Sequence, residues 1–148
     1  MKLSHLDEKG RARMVDIGEK NRARRRAKAE GKLIFGEATR KAVEKHVLPK
    51  GNPFEVARIA GIQAAKRTDE WIPLCHNIPL DFVNVEIELL EDHFLISSEV
   101  SGRWSTGVEM EALTAVTAAA LTLYDMCKAV DGGLMLKEVR LVEKSKVE

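Results

Sequence analysis

Asp125 and Lys128 lie three residues apart in "YDMCKA", near the end of an Ala-, Leu- and Thr-rich stretch running from Thr106 to Val130. A carboxylate and an ammonium at that spacing share one face of a helix. Such a pair can hold an anion, or pass a proton while the carboxylate orients the amine. At the other end of the stretch stand Glu109 and Glu111. At about 100° per residue, Glu111 and Asp125 differ by only about 40° around the axis, so they point roughly the same way. Along the axis they are roughly 21 Å apart. No single bond can be attacked from both ends of one such helix. Either the two ends do different work, or a site is assembled from two chains. A plainer reading also exists. Glu109 and Glu111 in the first turn and Lys128 in the last complement the helix dipole. Asp125 is then an ordinary partner of Lys128, although a negative charge near a helix C-terminus gains nothing from the dipole.

A second group lies in "IAGIQAAKRTDEWIPLCHNIPL", Ile59 to Leu80. Lys66 and Arg67 close a helix, and Cys75 and His76 follow in a proline-bearing loop. A loop histidine beside cations suits substrate contact or proton transfer, and a buried structural histidine reads equally well. Adjacent Cys and His side chains rarely converge on one ion, and no spaced Cys and His set follows, so no metal site is expected. Lys50, before Gly51, is either a surface turn lysine or an amine presented to an anion.

The elements that must position these residues are legible as patterns. Ala29 to Phe35 reads as a short strand. Residues 37–48 read as a helix with Ala38, Ala42 and Val43 on one face. Asn52, Pro53 and Glu55 make a helix start, and that helix should run to about Thr68. "VNVEIEL" and "FLISSEV" alternate with period two and form a hairpin across Glu91 and Asp92. The long helix follows, "DGG" at 131–133 stops it, and a last strand runs from about Leu134 to Val142. The order strand, helices, strand, strand, helix, strand is that of an α+β, ferredoxin-like split βαβ fold, an antiparallel sheet with helices packed on one face. The expected organisation is a single domain over 1–148. A basic arm covers 1–28, the ferredoxin-like core 29–143, and a short tail 144–148. One sheet face would stay open, so an oligomer is expected.

Composition sets the outer bounds. The chain has 148 residues, 45% hydrophobic and 32% charged, with a formal net charge of +1. That profile carries no overall message for nucleic acid or membrane. No long apolar run and no signal-like start appear, so a cytoplasmic protein with two reduced cysteines, Cys75 and Cys127, is expected. Residues 1–30 hold ten Lys/Arg against five Asp/Glu, including "RARRRAK" at Arg22 to Lys28. This run reads as a solvated arm or as a phosphate grip. A nucleic-acid module would place aromatics on the central strands, and only Phe82 and Phe94 are near. A purely structural oligomer would leave the Cys75–His76 loop and Asp125–Lys128 without a purpose.

The motifs "MVDI" (Met14 to Ile17), Lys50-Gly51, "RIAGIQAAKRT" (Arg58 to Thr68), "IPLCH" (Ile72 to His76), "TGVEMEALTA" (Thr106 to Ala115) and "YDMCKA" (Tyr124 to Ala129) occur together and in order. With them the chain closely resembles the molybdenum cofactor biosynthesis protein C family, the cyclic pyranopterin monophosphate synthases, from about residue 5 to residue 145. The resemblance implies conversion of 3′,8-cyclo-7,8-dihydro-GTP to cyclic pyranopterin monophosphate with release of pyrophosphate. It implies a ferredoxin-like fold and a hexamer, a trimer of dimers with active sites at the dimer interface. It implies no resident cofactor, and it leaves a metal ion on the pyrophosphate open. Asp125, Lys128 and Lys50 take the catalytic positions by this likeness. Leu74, Cys75 and His76 fall on one substrate-binding segment, Met110 and Glu111 on another, with Glu109 beside them. Arg25 and Lys66 take substrate-contact positions. A lysine lowered in pKa by neighbouring cations would donate a proton while Asp125 orients it, and Glu111 would hold the donor edge of the guanine-like ring. The end "EKSKVE" lacks the glycines of the family's tail, which makes Lys144 or Lys146 its stand-in.

Overall fold

The computed structural model describes residues 1–148. Its elements are β1 (Ala23–Ile34), α1 (Glu37–Glu44), α2 (Pro53–Ala65), α3 (Thr68–Trp71), β2 (Phe82–Leu89), β3 (His93–Trp104), α4 (Glu109–Cys127) and β4 (Met135–Val147). The four strands make one antiparallel sheet in the order β2-β3-β1-β4. This is the expected ferredoxin-like arrangement. The helices cover one face, with α4 lying across β1, β3 and β4, and α2 beside it against β2.

The basic run is not an arm. Its residues from Ala23 onward belong to β1, a central strand that begins six residues before the expected start. Ala23, Ala27, Ala29 and Leu33 are buried under the helices. The charges at Arg24, Arg26, Lys28 and Lys32 alternate with them and so point to the open face. There, Arg26 donates to Glu99 at 2.6 Å and Arg140 to Glu30 at 2.6 Å. Small apolar residues spaced by two were outweighed, in the sequence reading, by the density of arginine. The tail shows the same effect. β4 continues through Val147, with Lys144 opposite Ala27 and Lys146 opposite Arg25.

The helices are shorter than their patterns suggested. α1 ends at Glu44 because His46 turns left-handed, at φ 55°. The His46 N–H then donates to Val43 O, and the Val47 N–H to Ala42 O, which closes the helix end. α2 begins as expected, with Asn52 Oδ1 accepting from the N–H groups of Phe54 and Glu55. It ends at Ala65, and the four-residue α3 carries the chain on to the Cys75 loop.

The core between sheet and helices combines large side chains from the strands, Leu33, Val85, Phe94, Ile96 and Val100, with small ones from the helices. Ala57, Ala65, Ala112, Ala115 and Ala119 let α2 and α4 approach closely. Gly61 marks the tightest point. A Cβ there would stand 2.8 Å from the Ala115 carbonyl oxygen. Small residues on both helices therefore set the separation that carries Lys50, just ahead of α2, to the end of α4.

Candidate active site

The end of α4 gathers the first cluster. Asp125 accepts from Lys50 Nζ at 2.5 Å and lies 2.9 Å from Lys128 Nζ. Lys50 arrives on the turn before Asn52, and Lys128 caps α4, so the two ammonium groups flank one carboxylate. Hydrogen bonds from Lys50 and then Lys128 hold the Asp125 carboxyl down at about 2. Asp125 in turn raises Lys128 above the ordinary lysine range. This corrects the expectation of a lysine lowered by neighbouring cations. The Asp125 carboxylate, directly bonded, outweighs the second ammonium. Both side chains are about half exposed, so the cluster is an open, net-positive surface that an arriving anion can enter.

The position of this end is fixed by a residue the sequence reading missed. Asp131 Oδ2 accepts from the Gly36 N–H at 2.7 Å and the Thr39 hydroxyl at 2.9 Å, and Oδ1 accepts from the Gly133 N–H at 2.8 Å. One carboxylate thus ties the turn after α4 to the β1–α1 junction. Beside Asp125 an open groove runs between α2 and α4, lined by Gln63, Arg67, Trp71 and Leu121. The exposed Lys66 caps α2 and does not line that groove, whereas its neighbour Arg67 does.

The start of α4 forms the second cluster. Leu74, Cys75 and His76 meet Glu109, Met110 and Glu111 around a cavity of about 170 Å³. Two segments distant in sequence are therefore brought together. Glu111 is only 3% exposed, and burial pushes its carboxyl up to about 7, with Glu109 and Asp69 adding repulsion. Burial, Glu111 and Asp69 also raise the Cys75 thiol. Cys75 is thus a neutral thiol at neutral pH, suited to packing and weak hydrogen bonding rather than to nucleophilic attack. His76 Nε2 lies 2.7 Å from Val15 O. A carbonyl only accepts, so Nε2 carries the proton, and in the neutral ring Nδ1 is an acceptor. The cavity's remaining walls include His5, Val15, Ile17, Lys20 and Thr106. Sequence reasoning assigned none of these a role, although "MVDI" was among the recognised motifs.

A third group stands next to the second. Arg25, Arg26, Lys144 and Lys146 surround the first residues of α4, where Glu109 lies 3.7 Å from Lys144 Nζ. Arg25 Nε is buried and makes no hydrogen bond. The arginine and the two strand-borne lysines form a cationic rim beside an α4 N-terminus that no side chain caps. Nowhere do three or more His, Cys, Asp or Glu side chains gather as a metal site would require. No helix is long and apolar enough to cross a membrane.

The uninterrupted span of α4 from Glu109 to Cys127 keeps Glu111 and Asp125 at opposite ends of one rod. A family model described as the MoaC family matches residues 14–146. The chain belongs to the MoaC family. It is 50% identical over 145 residues to a cyclic pyranopterin monophosphate synthase from Heliobacterium modesticaldum, covering 97% of this chain and 91% of that protein. It is 45% identical over 145 residues to one from Peptoclostridium acidaminophilum, covering 98% and 92%. It is also 48% identical over 145 residues to a molybdenum cofactor biosynthesis bifunctional protein from Chlorobaculum tepidum, covering 98% of this chain but 46% of that longer protein. The MoaC resemblance read from the motifs holds, and with it an enzyme family of molybdenum cofactor biosynthesis.

Proposed function

We propose that this MoaC-family chain is a cyclic pyranopterin monophosphate synthase, converting 3′,8-cyclo-7,8-dihydro-GTP to cyclic pyranopterin monophosphate and pyrophosphate. The observation that carries the reading is the convergence of Lys50, Asp125 and Lys128 into one hydrogen-bonded group. Two lysine amines meet on one carboxylate and are already oriented by it. A triphosphate competes with Asp125 for both lysines and draws them onto its own oxygens. Asp125 is then released to accept a proton, while the phosphate oxygens keep both lysines charged against the triphosphate. Forming a cyclic phosphate with loss of pyrophosphate requires a substrate hydroxyl to lose its proton as its oxygen attacks phosphorus. It also requires positive charge on the departing pyrophosphate. The cluster holds groups of both kinds, and no step calls on a resident cofactor.

The cavity at the other end of α4 suits the base. Its carboxylates accept hydrogen bonds from ring and amino N–H groups, while Leu74 and Met110 supply apolar walls. With about 21 Å between Glu111 and Asp125 along one helix, a site using both is built from two chains. We therefore assign an oligomer whose dimer interface closes the site, the hexamer being the form the family resemblance implies.

The test is incubation with the cyclised substrate, with pyrophosphate counted and the pterin measured by fluorescence after oxidation. The wild-type chain should yield both products in equal amounts. Lys128→Ala should yield neither while keeping the wild-type assembly mass. Wild-type protein that releases no pyrophosphate overturns the reading. Full turnover by an intact Lys128→Ala assembly removes the lysine from its role.

A further inference from the structure

We propose that Lys20 is a substrate-binding residue that reads the carbonyl edge of the guanine-derived ring, and that residues 5–20 form a strap whose fastening places it there. The inference rests on the proposed synthase reading, since that reading supplies the ring.

The strap belongs to no strand of the sheet. Its only ladder contact is the single bridge between Leu6 and Ala12, closed on a turn where the Asp7 carboxylate accepts from the Lys9 and Arg11 N–H groups at 2.9 Å. It is held over the cavity by side chains of the two loops that frame that cavity. His76 Nε2 donates to Val15 O at 2.7 Å, and the Ser105 hydroxyl donates to Lys20 O at 3.1 Å. The segment between these fastenings presents Val15, Ile17 and Lys20 to the cavity, with His5 completing the wall.

The polar lining is unequal. Glu109 and Glu111 are carboxylates, and no other residue donates a hydrogen bond to Glu111. Lys20 is the single lysine or arginine among the lining residues. A guanine-type edge presents two donors, the ring N–H and the amino group, and one acceptor, the carbonyl. An ionised Glu111 meets the donors and has nothing for the carbonyl, which needs a donor beside it. The Lys20 ammonium supplies that donor. The pair Glu111–Lys20 is complementary to the donor–donor–acceptor order of the guanine edge. An adenine-type edge, with an amino group in place of the carbonyl, would set a donor against the ammonium. A site built this way discriminates through the unpaired polar group it forces on the wrong base. Lys20 is exposed, so its role is not to hold the fold.

The experiment measures turnover and substrate affinity for wild-type, Lys20→Met, Lys20→Arg and Ser105→Ala, each checked for wild-type assembly mass and melting temperature. Loss of one charge-assisted hydrogen bond predicts a roughly 10- to 150-fold weaker Kd for Lys20→Met. Lys20→Arg, which keeps a cationic donor, should restore most of that loss. Ser105→Ala should give a smaller loss by loosening the strap, seen as faster amide exchange over residues 15–20. A Lys20→Met Kd within threefold of wild-type, with wild-type protein active, overturns the role of Lys20 and leaves the synthase reading standing. An equal loss in Lys20→Met and Lys20→Arg also overturns it, because a donor would then not be what matters. Wild-type protein that neither binds nor converts the substrate overturns both.

Discussion

Glu111 is the residue whose environment departs furthest from what its position in the chain suggests. In sequence it is a first-turn carboxylate favoured by the helix dipole. In the fold it is buried against the Cys75 loop, with its carboxyl pushed from the ordinary 4.5 to about 7. Between those values the folded protein holds a proton that the unfolded chain has lost. The contribution to stability is therefore full below pH 4.5 and is lost as pH rises through 7. At 1.36 kcal/mol per pKa unit the loss is about 3 kcal/mol. Glu111→Gln removes the titration. At fixed protein concentration, urea unfolding should show the variant gaining about 2.5 kcal/mol on wild-type between pH 5 and pH 8, the rest of the loss falling below pH 5. Parallel stability curves for the two proteins would show that the site is wetter than its burial implies. A buried carboxyl that is costly to ionise is also well placed for a ligand that brings N–H donors. At this scale the residue types in "YDMCKA" and "TGVEMEALTA" already pointed to the site. The raised pKa of Lys128 did not show, because it depends on which charge sits closest to the ammonium in space.

At the scale of elements, patterns that alternate or carry caps were legible, and those masked by charge were not. The hairpin of β2 and β3, the Asn52 cap and the length of α4 all follow from local chemistry. The first half of β1 is hidden in the sequence because Arg24, Arg26 and Lys28 on its open face mask the buried Ala23 and Ala27 on the other. α1 was overrun because a left-handed histidine stops it where a glycine would have announced the end. The strap escaped altogether, since two side-chain hydrogen bonds to its backbone leave no periodic trace. The packing of α2 on α4 rests on Gly61, where a methyl group would meet the Ala115 carbonyl at 2.8 Å and Val85 Cγ2 at 3.0 Å. Backbone cannot swing aside, so Gly61→Ala should cost about 1–3 kcal/mol, measurable as a lowered melting temperature. Gly132→Ala, with nothing within 4 Å of its new Cβ, is the matched control and should melt with wild-type. Equal melting of the two variants would mean that the helices have room to part.

For the whole molecule, the decisive fact is that one uninterrupted helix carries both clusters at opposite ends. If one substrate uses Glu111 for its base and Lys128 for its phosphates, as proposed, it takes them from two chains. Mixed assemblies test this most directly. Glu111→Gln and Lys128→Ala subunits, each inactive alone, are co-refolded, and mixed assemblies are confirmed by mass. If each site draws Glu111 from one chain and Lys128 from its partner, a mixed dimer holds one site with both lesions and one site with neither. Turnover of the cyclised substrate should then return in the mixture. If each site uses both residues of a single chain, every site in a mixed dimer is damaged, and activity no higher than that of the two parents would contradict the shared site.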